Sequence, residues 1–217
     1  MHTDPDFQGL KRKVRLILLL DAVENAGLSP IPLSQLHSLA YLSNVLAPVW
    51  NMPALDGKVL KKNGGPFYPA LQRDLDQLIG IGVAVISSVG HEQDVDGNWR
   101  LKGKYRLNRM FSDKIVCRIE EFEDERKIRS FIQELAFALS ALSDQEIDVA
   151  LHEDATYSNP NVGIGNVVDF AEWQKKNYSA NVARHFENLL PGGSKATPGE
   201  QLHLYLLHLQ ARIHGEQ

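Results

Sequence analysis

Residues 59–109 constrain the fold most, because the hydrophobic period changes once within them. In the first part, apolar residues recur three and four positions apart, with polar residues between them. This spacing predicts an amphipathic helix that begins within residues 64–69 and is ended by Gly80 and Gly82. The apolar positions of this helix are Leu71, Leu75, Leu78 and Ile79.

After the two glycines, the pattern becomes that of a β-hairpin. Residues 83–86 are apolar and partly β-branched, which favours a strand, and residues 104–107 predict the returning strand. The sequence Asp96-Gly97-Asn98 is typical of a tight turn. The segment therefore predicts the order helix, strand, turn, strand.

Two further helices are expected before this segment. Residues 9–26 predict a helix that is apolar on nearly all sides and stops at Gly27, and a second helix is expected from Ser34 to just before Pro48. Helices followed by a hairpin in this order are typical of a winged-helix domain. We expect a mainly α chain of the α+β kind, in which an N-terminal winged-helix domain has the β-hairpin as its wing.

The second half of the chain predicts helices only. Residues 126–142 carry an apolar stripe at helical spacing. Capping boxes begin at Ser143 and Thr197, and Ser179 is expected to cap a further helix.

The domain boundary is expected within residues 109–125, which end in the acidic run of residues 120–125. This run is either a solvated helix start, which the helix dipole favours, or a linker. We therefore expect a winged-helix domain at residues 1–118 and a helical domain at residues 119–217.

Composition argues against a membrane span and against a disulfide. The longest apolar run, residues 16–20, is far shorter than the ~20 residues that a span needs. Cys117 is the only cysteine, which excludes an intramolecular disulfide and a cysteine-rich zinc site. A single cysteine suits a reducing compartment, so a cytoplasmic location is expected.

The net charge of −4 conceals an asymmetry along the chain. Residues 1–118 hold 15 Lys and Arg against 11 Asp and Glu, whereas residues 119–217 hold 8 against 16. Two surfaces with different partners are one interpretation, and a drift in surface composition is the other.

Cations on or beside the returning strand form the main candidate site. They are Arg100, Lys102, Lys104, Arg106 and Arg109. Side chains two positions apart share a strand face, so the charges of the first four add. If all five cations contact phosphates, the logarithm of the binding constant is expected to fall with the logarithm of the salt concentration with a slope of about −4 to −5. Trp99 and Tyr105 lie between the cations and either stack on a ligand or cover the core. The alternative is a solvated wing whose charges block edge-to-edge pairing.

The predicted recognition helix is a weak reader of DNA sequence. Its exposed face is expected to present Gln72, Arg73, Asp76 and Gln77, and Asp74 and Asp76 would repel phosphates. Only Gln72 and Arg73 are suited to contact base edges. This favours contact with the DNA backbone, or with a protein, over recognition of an operator.

No catalytic, cofactor-binding or metal-binding motif is present in the sequence. His203 and His208 are five apart rather than four, and Gly163-Ile164-Gly165 lacks the third glycine of a dinucleotide loop. We therefore expect a protein that is not an enzyme and has no cofactor and no metal. An enzyme assembled from scattered acids in residues 153–169 is the remaining possibility.

Five stretches carry a family resemblance. They are LHSLAYL at 36–42, APVW at 47–50, GPFYPALQRDLDQL at 65–78, GNVVDF at 165–170 and PGEQLHLY at 198–205. In these the chain resembles the middle component of bacterial ABC-three-component systems, which are related to the Lamassu anti-phage systems. The resemblance implies a small non-enzymatic subunit beside an SMC-like ATPase and an effector, often a nuclease, and it supplies no catalytic residues.

Two functions are therefore expected from the sequence. The first is an accessory subunit that bridges the ATPase and the effector in anti-phage or anti-plasmid defence, with the wing against non-specific double-stranded DNA or against protein. The alternative is a winged-helix transcriptional regulator that binds an operator.

Overall fold

The computed structural model describes residues 5–55, 58–62, 64–93, 99–161, 163–170, 177–188 and 195–215, apart from the side chains of residues 5, 6, 92, 100 and 101. The described chain is mainly helical with small sheets, as predicted. The helices are α1 (Pro5–Asn25), α2 (Leu33–Leu46), α3 (Pro69–Gly80), α4 (Arg109–Ile119), α5 (Glu123–Leu139), α6 (Asp144–Glu153), α7 (Tyr178–His185) and α8 (Pro198–Ile213). The strands are β1 (Ile31–Pro32), β2 (Lys58–Lys62), β3 (Gly65–Phe67), β4 (Ala84–Gln93), β5 (Trp99–Leu107) and β6 (Val167–Asp169). Short 3-10 helices lie at Ala47–Trp50 and Phe186–Asn188.

The predicted helix and hairpin of residues 64–107 are both present. Helix α3 buries Leu71, Leu75 and Leu78, and Gly82 just beyond it has a φ of 77°, a conformation that glycine adopts without strain. Strands β4 and β5 pair antiparallel. The Asp96-Gly97-Asn98 turn lies outside the described residues.

Both predicted capping boxes are confirmed. Ser143 and Glu146 satisfy each other's backbone groups at the start of α6, and Thr197 and Glu200 do so at the start of α8.

The predicted cap at Ser179 is wrong. Asn177 caps α7 instead, because its side-chain oxygen accepts the backbone N–H of Ala180. Ser179 lies inside the helix, where its buried hydroxyl bonds Thr156.

The chain forms two discontinuous compact units rather than the predicted domains 1–118 and 119–217. The first unit comprises Met1–Leu36 and Pro69–Gln133, and the second comprises His37–Tyr68 and Glu134–Gln217. Two of the three divisions fall inside α2 and α5, and the third falls just before α3. Contacts between residues distant in sequence decide this partition.

The first unit contains a three-stranded sheet of order β1-β5-β4. Ile31 of β1 lies opposite Tyr105 of β5, and both are buried. Helix α1 contacts α3, α4 and β5, and its central residues 16–20 are almost fully buried, as predicted from their uniform apolarity.

A buried ionic network explains why α4 and the start of α5 belong to the first unit. Asp21 of α1 is 2% exposed, and its two oxygens are bound by Arg109 of α4 at 2.7 Å and by Arg129 of α5 at 2.9 Å. Arg129 also pairs with Glu120, in the turn between α4 and α5. A carboxylate this deeply buried requires such partners, so the acids and bases hold three helices together.

The acidic run is the start of a helix rather than a linker. Glu123, Asp124 and Glu125 form the first turn of α5, where the helix dipole favours negative charge. Glu121, just before that turn, pairs with Arg118 at the end of α4.

The second unit contains a sheet of order β3-β2-β6 that the sequence did not predict. Strand β2 lies within residues 55–62, a short segment whose residue pattern does not distinguish a helix from a strand. Strand β6 closes the long connection after α6, and Val168 of β6 lies opposite Val59 of β2. This pairing joins segments about a hundred residues apart, which explains why His37–Tyr68 belongs with the C-terminal helices.

The charge asymmetry follows the sequence and not the compact units. The first unit holds 15 Lys and Arg residues and 15 Asp and Glu residues, and the second unit holds 8 Lys and Arg residues and 12 Asp and Glu residues. The units are less asymmetric in charge than the two halves of the sequence, because the acidic start of α5 belongs to the first unit and the basic strand β2 belongs to the second. No helix in the described ranges combines the length and apolarity needed to cross a bilayer.

Candidate nucleic-acid interface

Strand β5 separates its charged and apolar side chains onto opposite faces. Lys102 and Arg106 are exposed and Lys104 is half-buried. The intervening residues are buried; they are Gly103, Tyr105 and Leu107. Three of the predicted cations therefore share the solvent face of one strand, as their even spacing predicted. Arg100 belongs to the same strand, but its side chain lies outside the described part of the chain.

The partner strand β4 contains a bulge behind this basic face. The register shifts between Ser87 and Gly90, and Ser88 has a φ of 53°. The Ser87 hydroxyl donates a 3.3 Å hydrogen bond to the carbonyl of Lys104. A bulge bends a strand and increases its twist, so it sets the direction in which the far half of the hairpin points.

Gly103 is required by the packing on the apolar face. A Cβ atom at this position would lie 2.7 Å from Cδ1 of Ile86 on the neighbouring strand. The absence of a side chain allows Ile86 to cross the strand and Tyr105 to cover the core, where it is 5% exposed. Burial, followed by the negative charge of Asp76, raises the pKa of Tyr105, so this phenol stays neutral at physiological pH.

The two aromatic residues of β5 have different environments. Tyr105 covers the core, whereas Trp99 at the far end of the strand is 71% exposed. Of the two alternatives left open by the sequence, core coverage holds for Tyr105 only. An indole this exposed is available to a ligand or partner.

The structure gives Arg109 a different position from the other predicted cations. It is the first residue of α4, and its guanidinium pairs with Asp21 at 2.7 Å, Glu24 at 2.9 Å and Asp113 at 3.4 Å. Burial alone would lower the pKa of Arg109, but the hydrogen bonds that it donates to Glu24 and Asp21 outweigh burial and raise this pKa. Its charge is thus neutralised inside the first unit, and it adds little to the basic face of β5.

The exposed face of α3 differs from the expected one at Asp74. This carboxylate is buried and accepts a 2.8 Å hydrogen bond from Arg12 of α1, so it does not face a ligand. Arg73 is exposed, as predicted, and the half-buried Gln72 bonds Asp76 at 3.0 Å. The exposed face of α3 therefore presents one cation, Arg73, and one carboxylate, Asp76. The side-chain amide of Gln72 is already engaged in a hydrogen bond with that carboxylate.

A shallow cavity of about 530 Å³ lies in the second unit, where the sequence predicted only a helix start. Its lining residues are Trp50, Glu134, Thr197, Pro198, Gly199, Glu200 and His203. Glu134 lies 3.0 Å from Nε2 of His203, and Glu200 bonds Thr197 in the capping box. Both carboxylates thus bond residues in or next to the first turns of α8. Within the described ranges, no three His, Cys, Asp or Glu residues are placed to hold a metal ion.

The segment 153–169, where scattered acids left an enzyme possible, contains a buried carboxylate with structural partners. Asp154 has no exposed surface and accepts hydrogen bonds from Tyr41 at 2.7 Å and Tyr205 at 2.6 Å. The backbone N–H groups of Thr156 and Tyr157 bond the same carboxylate. Burial, followed by the nearby charge of Asp154, raises the pKa of both Tyr41 and Tyr205. The arrangement is saturated with donors and closed to solvent, so it leaves no room for a substrate.

The basic face of β5 is thus the candidate interface that the structure assembles from the predicted residues. No model of a known protein family matches the chain, and neither a curated protein nor a solved structure is significantly similar to it.

Proposed function

We propose that this chain is a non-enzymatic accessory subunit of an SMC-like ATPase complex in anti-phage or anti-plasmid defence, and that it touches double-stranded DNA through β5. In this proposal, the β4–β5 hairpin of the first unit is the wing of a winged helix, and α3 of the same unit is its recognition helix. The single observation that carries the DNA contact is the alternation on β5, which sets Lys102, Lys104 and Arg106 on one face.

The strand order supports the winged-helix interpretation. The short strand β1 lies between the first two helices in sequence, and it pairs with β5 rather than with β4. A sheet of this order, with its last two strands joined as a hairpin after the third helix, is the arrangement of winged-helix domains. Between α2 and α3 the chain also contains β2 and β3, which pair with β6 in the second unit.

The chemistry of α3 supports contact with the DNA backbone over recognition of bases. Gln72 and Arg73 are the two residues predicted to contact base edges. Gln72 is half-buried and bonds Asp76 within the helix, whereas Arg73 is exposed. Cations on a strand bind phosphates without reading sequence. An accessory subunit needs only this kind of contact, whereas a regulator needs several contacts with base edges.

The partners in this proposal come from the family resemblance. It implies an SMC-like ATPase and an effector, often a nuclease, with this chain between them in the cytoplasm. The second candidate function, a winged-helix transcriptional regulator, is favoured by the same hairpin and differs from the first in requiring sequence preference.

The DNA contact is tested by titrating a fluorescent 30-bp duplex with the full chain and measuring anisotropy at several salt concentrations. We expect Lys102→Glu/Arg106→Glu to weaken binding at every salt concentration and to reduce the log–log slope by about 2, since each lost phosphate contact removes ~0.9. The matched control is Arg126→Glu/Lys127→Glu, which reverses two exposed cations on α5 and should retain the wild-type slope. Equal losses in both variants would indicate a general charge effect and contradict the proposed interface.

The assembly role is tested by co-expressing the chain with the products of its neighbouring genes. A stable complex with a large ATPase on size-exclusion chromatography is the expected result. A chain that elutes without such a partner, and that enriches one sequence from a random DNA library, would overturn the accessory role and support the regulator.

A further inference from the structure

We propose that α1 and α3 together form a second contact surface for double-stranded DNA, separate from the basic face of β5. The surface consists of Lys11 and Arg15 of α1 and Arg73 of α3, and we call it the α1–α3 patch. The kind of ligand rests on the proposed function, but no residue of the hairpin belongs to the patch, so the two surfaces can be tested separately.

The first half of α1 contains the densest run of positive charge in the chain. Four of the five residues at 11–15 are cations; they are Lys11, Arg12, Lys13 and Arg15. The next acid of the helix, Asp21, lies about 9 Å beyond Arg15 along the helix axis. Arg109 and Arg129 already bind this carboxylate, so it does not neutralise the run.

One ion pair fixes this run against α3. Nε of Arg12 donates a 2.8 Å hydrogen bond to Asp74, which is 2% exposed. Lys11 adjoins Arg12 in sequence, Arg73 adjoins Asp74, and both of these neighbours are exposed. The contact between the two helices therefore places an exposed cation on each of them within one residue of the ion pair.

The cations of α1 do not all lie on one side of the helix. Arg15 follows Lys11 by four residues, so the two share a side, and Arg15 is half-buried. Lys13 is two residues from Lys11, which places it about 200° around the helix. The patch therefore includes Lys11 and Arg15, and Lys13 lies outside it.

The acids of α3 do not cancel the charge of the patch. Asp74 is already paired with Arg12, and Asp76 lies about 200° around α3 from Asp74, on the side away from α1. The charge of Asp76 acts at the apolar face of β5, where burial and then this charge raise the pKa of Tyr105. Among the described side chains of α1 and α3, no unpaired carboxylate thus lies beside the patch.

The ammonium group of Lys11 is held in place but can still bind an anion. Its Nζ lies 4.8 Å from the centroid of the Phe7 ring, and Phe7 is 50% exposed. The face of an aromatic ring attracts a cation without occupying its N–H donors in ordinary hydrogen bonds. Within the described part of the chain no carboxylate pairs with Lys11, so these donors are available to phosphate oxygens.

The charge and position of the patch both favour DNA as its ligand. Duplex DNA carries one negative charge per about 1.7 Å of its axis, so cations on adjoining helices meet phosphates on any sequence. The patch is also continuous with the proposed interface, because Arg73 belongs to the recognition helix of the proposed winged helix. We therefore expect Lys11 and Arg73 to contribute phosphate contacts in addition to those of β5.

The test is the anisotropy titration of a fluorescent 30-bp duplex with the full chain at several salt concentrations. We expect Lys11→Glu to reduce the log–log salt slope by about 1 and Lys11→Glu/Arg73→Glu to reduce it by about 2. The matched control is Lys13→Glu, which makes the same charge change two residues away on the other side of α1 and should retain the wild-type slope. Circular dichroism confirms that each variant is folded.

The outcomes separate this proposal from the contact through β5. A slope that falls in the hairpin variant Lys102→Glu/Arg106→Glu but not in Lys11→Glu would overturn the patch and leave the β5 contact standing. The reverse result would support the patch and overturn the β5 contact, and a wild-type chain that binds no duplex would overturn both.

Two further results would also contradict the patch. An equal loss of slope in Lys13→Glu would show a general effect of charge rather than a contact on one side of α1. A Lys11→Glu chain that binds DNA like wild type, but no longer co-purifies with the product of a neighbouring gene, would assign this surface to a protein partner.

Discussion

The hydroxyl of Tyr205 donates a 2.6 Å hydrogen bond to Oδ2 of Asp154, and both residues are completely buried. Tyr41 donates to the other oxygen at 2.7 Å. Asp154 therefore joins α2 and α8 to the loop that follows α6. Because the carboxylate has no access to water, each of these donors replaces a hydrogen bond that solvent supplies in the unfolded chain.

We expect Tyr205→Phe to lower the free energy of unfolding by about 1.5–3 kcal/mol, the usual contribution of a hydrogen bond to a charged group. The substitution removes only the hydroxyl and keeps the ring in place. Urea denaturation at pH 7 measures the change. Tyr178→Phe, at 42% exposure, is the control and should change stability by less than about 0.5 kcal/mol. A Tyr205→Phe protein as stable as wild type would show that Asp154 does not depend on this donor.

The network around Asp21 makes a second prediction. Asp21→Asn keeps the size of the side chain but removes the charge that holds Arg109 and Arg129, so the free energy of unfolding should fall by about 3–5 kcal/mol. The control is Asp113→Asn, whose carboxylate is 61% exposed and pairs with Arg109 at 3.4 Å. An exposed pair of this kind contributes ~0.2–1 kcal/mol. Similar losses in the two variants would contradict a special role for the buried carboxylate.

The pH dependence of stability should carry a contribution from His37. Burial, followed by the positive charge of Lys62, lowers the pKa of His37 from 6.5 to about 4. Its Nδ1 accepts the backbone N–H of Tyr68, and its Nε2 has no hydrogen-bond partner among the described residues. The unfolded chain binds a proton near pH 6.5 but the native protein binds it only near pH 4, so stability falls as the pH drops through this window.

The resulting decrease in the free energy of unfolding between pH 7.5 and pH 4 approaches about 3 kcal/mol. Thermal unfolding of wild type and His37→Phe between pH 7.5 and 4 checks it, since phenylalanine keeps the ring packing and does not titrate. We expect the variant to lose less stability on acidification than wild type. The exposed His152→Gln is the control and should retain the wild-type dependence. Parallel curves for wild type and His37→Phe would refute the assignment.

The hairpin packing gives a prediction at Gly103. Gly103→Ala places a methyl group 2.7 Å from Cδ1 of Ile86, so the isoleucine has to move, and overpacking of this kind costs about 1–3 kcal/mol. Cγ1 of Ile86 is also close, at 2.9 Å, so Ile86→Ala, which removes both atoms, should abolish the extra cost of Gly103→Ala in the double variant. Gly90→Ala in β4 is the matched control, because nothing lies within 4 Å of a Cβ there. Urea denaturation measures the stability of each variant, and a Gly103→Ala cost that is the same in the Ile86→Ala background would locate the strain elsewhere.

The local pattern of the chain was enough to predict several elements. Helix α3 with its buried face, the two strands of the hairpin and both capping boxes follow from residues within a few positions of one another. The same holds for the alternation of Lys102, Lys104 and Arg106 with buried neighbours, since a strand has a period of two. These features depend on backbone geometry and on short-range hydrogen bonds, which are visible in the order of the residues.

The local pattern did not predict which residues form ion pairs with one another. Asp74 has the helical position of a residue beside the exposed face, yet Arg12 binds it in the interior. Arg109 follows the basic strand in sequence, yet the acids of α1 neutralise it. Spacing gives the direction of a side chain on its own element, but it does not reveal which distant charge lies opposite.

By itself, the sequence determined the mainly helical class, the starts of α3, α6 and α8 and the basic face of β5, because propensity and periodicity act locally. The tertiary structure alone decided that the chain forms two discontinuous units, that β2 pairs with β6 and that Asp154 is enclosed by two tyrosines. These features join segments up to about a hundred residues apart. Burying a carboxylate or closing a sheet across such a distance depends on the combined packing of several elements, and no local pattern of residues specifies that packing.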